Sequence, residues 1–217
     1  MRPTPSMAIV AIVAALGLSV ISVFFNGALV AGAHERLTGG DPTVGSAIRK
    51  AFSRIAGLVP WAILTATVGL ILRALRDRAG WAGQFVINMI GIAWELATFL
   101  VVPAIIIDDK GAWDGVKASG SLLKSTWGEN LAARVGFGLL GFVAILPVIL
   151  VVAVLGSLGG AGLILGIVVG VAWVGLVVVV MTALNAVFQT ALYLYATSGM
   201  APSGFEGSSI GESFSRR

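Results

Sequence analysis

The chain is 217 residues long, with 58% apolar residues, 11% charged residues, no cysteine and a mean hydropathy of +1.00. A soluble domain carries about 25% charged residues, so this chain has too few polar side chains to coat a surface facing water. The missing cysteine excludes disulfides, thiol catalysis and Cys-ligated metal or iron–sulfur sites.

Five runs with almost no charge, at about 7–33, 56–72, 81–107, 135–156 and 161–198, are each long enough to cross a hydrocarbon core of about 30 Å. Because these runs are unbroken rather than alternating, they predict helices and not an outer-membrane barrel. The expected fold class is therefore all-α: a polytopic transmembrane helix bundle of five spans plus two amphipathic surface helices. Residues 1–198 form one helical membrane domain in this reading, and 199–217 a disordered cytoplasmic tail, rich in Ser and Gly. The first run is too long for a signal-peptide core and is read as a retained span.

After this span, Asp41-Pro42-Thr43 predicts a helix start with Asp41 as N-cap and Pro42 as the first helical residue. On the following helix Val44, Ala47, Ile48, Ala51, Phe52 and Ile55 share one face, with Arg49, Lys50 and Arg54 toward the other, as expected at a membrane surface. The second span ends in Arg73, Arg76, Asp77 and Arg78, and Trp81 opens the third. Asp108-Asp109-Lys110 then closes the third span, and the two aspartates are expected to cap the turn before a second surface helix over 112–125, whose polar face carries Asp114, Lys117 and Lys124. The fourth span contains Pro147. The fifth helix, of about 36 residues, would be about 54 Å long and must tilt, kink or protrude; Tyr193 and Tyr195 mark an interface near its end.

If the spans alternate, one side collects Arg36, Arg49, Lys50, Arg54, Lys110, Lys117, Lys124, Arg134, Arg216 and Arg217, and the other Arg2, Arg73, Arg76 and Arg78. Ten against four places both surface helices and the C-terminus in the cytoplasm. An odd span count with an uncharged start hints at a further helix ahead of the first.

The motifs Phe24-Phe25-Asn26-Gly27, Gly39-Gly40-Asp41-Pro42-Thr43, Trp61-Ala62, Ala93-Trp94, Thr98-Phe99-Leu100-Val101-Val102-Pro103 and Ser125-Thr126-Trp127-Gly128-Glu129, in this order, resemble an uncharacterised family of prokaryotic integral membrane proteins, known only as a domain of unknown function. The resemblance covers about half the chain. It implies a six-span fold whose first span this chain lacks, in a prokaryotic plasma membrane, and it brings no activity. The chain departs from the family pattern at Glu95, where a small or uncharged polar residue is expected.

Glu95 is the residue with most chemical interest, because an ionisable side chain near a span centre costs roughly 2.5 kcal/mol or more and usually faces a bundle interior or hydrated cavity. It is expected to bind a proton or cation in a transport path, to act as a neutral hydrogen-bond donor between helices, or to flank an oligomer interface. Asn88 lies two turns away on the same helix face, and Asn26 is a further intramembrane polar candidate. Arg49, Lys50, Arg54, Lys117 and Lys124 are the expected contacts with anionic lipid headgroups. Gly162, Gly166 and Gly170 form a doubled GxxxG for close helix packing, within the chain or between copies.

No catalytic constellation is visible. His34-Glu35 lacks the second histidine of a zinc-hydrolase motif, and there is no phosphate loop, dinucleotide fingerprint or nucleic-acid module. The expected function is non-enzymatic: no cofactor or metal, and the lipid bilayer, a second copy or another membrane protein as partner. The alternative is a small permease or proton-coupled transporter that uses Glu95.

Overall fold

The computed structural model describes residues 5–127 and 133–199, the side chains of 5, 8 and 125–142 excepted. In chain order its helices are α1 (Pro5–Leu37), α2 (Val44–Ser53), α3 (Ile55–Arg76), α4 (Trp81–Ala97), α5 (Val101–Asp108), α6 (Ala112–Trp127), α7 (Ala133–Gly156) and α8 (Gly160–Ser198). Among the described residues there is no strand. Four helical stretches, Ile9–Leu37, Ile55–Arg76, Trp81–Asp108 and Gly160–Ser198, are long and apolar enough to cross a membrane. The backbone of α7 is helical over 24 residues, about 36 Å, and its described side chains form a shorter apolar helix, Val143–Gly156. The C-terminal tail expected from 199 lies outside the described residues from 200 onward.

The chain divides into two compact units, Met1–Thr126 with Val187–Arg217, and Trp127–Ala186. In the first, α1, α3 and α5 form the core. Lipid gives helices little hydrophobic reason to associate, so close packing must hold them together. Two glycines make it possible. A Cβ on Gly27 would lie 3.0 Å from Leu58 Cδ1 and 3.2 Å from Ile106 Cδ1, and one on Gly57 would lie 2.7 Å from Ile105 Cγ2 and 3.1 Å from the Lys110 carbonyl oxygen. Within the α1–α3 contact Ser19 Oγ also donates to the Ala62 carbonyl at 2.9 Å.

Helix α2 lies against α1 and begins two residues later than its sequence suggests. Thr43, not Asp41, is the N-cap: its hydroxyl accepts from the Ser46 N–H, and the Ser46 hydroxyl accepts from the Thr43 N–H. This reciprocal box satisfies two terminal amides at once, which a lone Asp41 cannot do. Asp41 instead faces Arg36 at 3.5 Å in an exposed pair. The α2 face toward α1 is apolar, with Ala51 fully buried and Phe52 set edge-on against Phe24 at 4.7 Å.

The third span is not one helix. It breaks at residues 98–100 between α4 and α5, because Pro103 has no N–H to donate to the Phe99 carbonyl one turn back and its ring crowds that group. Backbone donors freed at membrane depth must find protein partners. The Leu100 N–H finds the hydroxyl of Ser119, fully buried on α6, at 3.0 Å. To reach it, α6 doubles back along α5, and a Cβ on Gly115 would sit 3.1 Å from Val101 Cγ1. The second surface helix thus runs two residues beyond the expected 125, and its inner face packs on protein.

In the second unit, α7 and α8 form an antiparallel pair joined through Gly159, whose φ of +98° suits glycine. Pro147 interrupts the α7 ladder, and the Trp173 indole N–H donates to the nearby Ala144 carbonyl at 2.9 Å. Beside it lies an apolar cavity of about 100 Å³ lined by Pro147, Val148, Val151, Val169, Gly170 and Trp173.

Candidate functional site

Among the described residues of the first unit, a polar cluster gathers where α1 ends, α2 meets α3, α5 ends and α8 nears its end. Helix α5 stops at Asp109, whose φ of 57° and ψ of 33° are left-handed, a conformation aspartate tolerates better than most residues. That turn sends neighbouring side chains in different directions. Asp109 forms an ion pair with Arg54 at the α2–α3 junction. Asp108 accepts from the Tyr193 hydroxyl at 2.5 Å and from Lys110 Nζ at 2.8 Å, and Lys110 Nζ also donates to the Tyr193 oxygen at 3.1 Å.

These bonds join three stretches distant in sequence. The expectation that Asp108 and Asp109 cap the turn before the second surface helix is overturned: Asp109 is the C-cap of α5, and both carboxylates are engaged by cations. Tyr193 is fully buried, so its hydroxyl needs a partner and is not free to anchor at an interface. The Asp108 carboxylate that accepts from it holds the Lys110 ammonium above the ordinary lysine value of 10.5. Half-buried His34 lies within electrostatic reach of Lys50 and Asp108. Glu35 accepts from the Ser46 hydroxyl at 2.9 Å, fixing α2 on the end of α1.

Chemically the cluster is a clamp. Each of its two carboxylates is engaged through one oxygen, Asp108 Oδ2 by the Tyr193 phenol and the Lys110 ammonium and Asp109 Oδ2 by the Arg54 guanidinium. Among the described residues no three His, Asp or Glu side chains are grouped to hold a metal ion.

Of the expected lipid contacts, Arg49, Lys50, Lys117 and Lys124 are exposed. Lys117 is loosely paired with Asp114 at 3.6 Å and lies over the Trp113 ring. Arg54 differs from them: its side chain is only 19% exposed and is committed to Asp109. Glu95 and Asn88 lie exposed on α4, and Asn26 is half-buried on α1, so the three are not gathered into one site. Gly162, Gly166 and Gly170 all turn toward α7. A Cβ on Gly166 would lie 3.2 Å from Leu155 Cβ, one on Gly170 would lie 3.1 Å from Val148 Cγ1, and one on Gly162 would collide with the Leu155 carbonyl. This glycine stripe therefore serves packing within the chain.

The sequence does carry a signal for the clamp, a phenol near one span end and an Asp-Asp-Lys triplet at another. Nothing in it shows that they meet.

The fold and the clamp define a polytopic helical membrane protein whose helix ends are locked by polar side chains on one side. Residues 6–205 match a family described as a family of unknown function (DUF6159), and the chain belongs to that family. No curated protein and no solved structure matches it significantly.

Proposed function

We propose that the protein is a non-enzymatic, multi-pass component of a prokaryotic cell membrane that associates with itself and holds anionic lipid at the basic end of its bundle, with that end and the C-terminus in the cytoplasm. One observation carries the lipid half. Helix α2 buries Ala51 against the bundle while Arg49 and Lys50 stand exposed beside it, and Arg54 is withdrawn into an ion pair. The basic side chains left facing outward, with Lys117 and Lys124 on α6, suit a negatively charged leaflet, where each contributes about 1 kcal/mol. The last turn of α3 and the connection that follows it carry Arg73, Arg76 and Arg78, so the basic excess favours the clamp end as the cytoplasmic one. The non-enzymatic reading is supported by the pairing of the cluster's acids.

The test is lipid retention measured by native mass spectrometry on protein released from nanodiscs of mixed phosphatidylglycerol and phosphatidylcholine. The chain should retain phosphatidylglycerol preferentially. R49Q/K50Q/K117Q/K124Q should lose that preference, as should the parent in high salt. An unchanged preference in both would sink the lipid reading.

A second reading, a small proton-coupled permease, draws on the break at residues 98–100, one turn after Glu95, since interrupted spans often frame transport sites. A proton-gradient-driven flux in proteoliposomes, lost in Glu95→Gln, would carry it. The outward position of Glu95 favours the first reading.

A further inference from the structure

Helix α4 turns Gly83, Ile87, Gly91 and Trp94 inward, with Trp94 stacked on Trp61 of α3 at 6.3 Å and Gly91 facing Leu72. On another side Trp81, Phe85, Asn88, Ile92 and Glu95 recur at alternating steps of four and three. All five are exposed: Trp81 at 87%, Phe85 at 64%, Ile92 at 49%, with Asn88 and Glu95 in the same class. Alternating steps of this kind make the seam of two helices wound around each other at about 20°.

The polar members of this seam are costly in hydrocarbon. Glu95 lies two turns, about 10.5 Å, beyond Asn88, so no single interfacial region can hydrate both. An intramembrane carboxyl of this kind is ordinarily covered by protein or water.

We propose that the Trp81–Phe85–Asn88–Ile92–Glu95 face of α4 is the seam of a parallel homodimer, covered by the same face of a second copy. Copies inserted with one orientation can form a two-fold pair only about an axis along the membrane normal, which sets each seam residue opposite its own counterpart at the same depth. Asn88 and Glu95 suit that arrangement. A carboxamide carries both donors and an acceptor, and a carboxyl in its acid form carries one of each, so both can pair with themselves. A partner of different sequence would have to supply matching groups at two depths. The seam rests on the self-association half of the proposed function and is independent of lipid retention.

The chain has no cysteine, so single-cysteine cross-linking has no background. I92C in liposomes at low protein density should oxidise to a disulfide-linked dimer, while I87C, on the α3-facing side, should not. Single-molecule photobleaching should show two steps for the parent. N88L/E95L should weaken association roughly tenfold, from two lost pairs of interhelical hydrogen bonds per dimer. Absence of the I92C dimer beside two-step bleaching would overturn the seam while leaving self-association standing. One-step bleaching would overturn both, and cross-linking of I92C to a different protein would also overturn the seam.

Discussion

Removing the Tyr193 hydroxyl tests the clamp with the least disturbance, because Tyr193→Phe keeps a ring that is fully buried. The lost hydrogen bond runs to a carboxylate at 2.5 Å, and bonds to charged groups are worth about 1.5–3 kcal/mol. The Asp108 side chain is 37% exposed and keeps Lys110 as a partner, so water can replace part of what is lost. The low end, about 1.5 kcal/mol, is therefore expected. For a chain of this length that corresponds to a fall in Tm of about 3–6 °C, read from thermal unfolding in detergent micelles. In an Asp108→Asn background the same Tyr193→Phe change should cost far less, because the pair acts as a unit. A Tm within about 1 °C of the parent, or an undiminished loss in the Asn background, would refute the clamp.

Ser119→Ala strands the Leu100 N–H at the break in the third span, at a cost of about 1–3 kcal/mol; hydrogen exchange should show faster exchange at Leu100, and unchanged protection would contradict the role given to Ser119. Gly57→Leu drives a side chain into Ile105 and the Lys110 carbonyl and should destabilise by about 1–3 kcal/mol or more, whereas Gly69→Leu, with nothing within 4 Å of a Cβ, should be tolerated; equal melting of the two variants argues against close α3–α5 packing. The raised Lys110 value gives a pH signature. Its contribution is fully present below the free-lysine value of 10.5 and is lost as pH rises through the higher folded value. Melts at about pH 9 and about pH 11.5 should therefore separate more for the parent than for Lys110→Met; an equal separation would remove Lys110 from the clamp.

The sequence made the spans legible because lipid permits few solutions: long apolar runs must be helices, whatever their neighbours. The α2 pattern was legible for the same reason, since its period separates Ala51 from Arg49 and Lys50. The break after Ala97 was not, because apolar character continues through Pro103, and only the presence of Ser119 nineteen residues later makes an open backbone donor tolerable there. The clamp escaped for a related reason. The Tyr193–Asp108 pair is 85 residues apart, and neither residue looks unusual beside its own neighbours. Asp41 misled because its type suits an N-cap, but Thr43 can exchange bonds with Ser46.

Lipid retention at the basic end requires that end to face the anionic cytoplasmic leaflet, and the cysteine-free chain lets its sidedness be measured without background. Single cysteines D77C, in the turn between α3 and α4, and T38C, in the turn before α2, would be treated in intact cells with a membrane-impermeant maleimide. D77C should label directly and T38C only after permeabilisation, with the basic end inside. Direct labelling of T38C with protection of D77C would contradict that orientation.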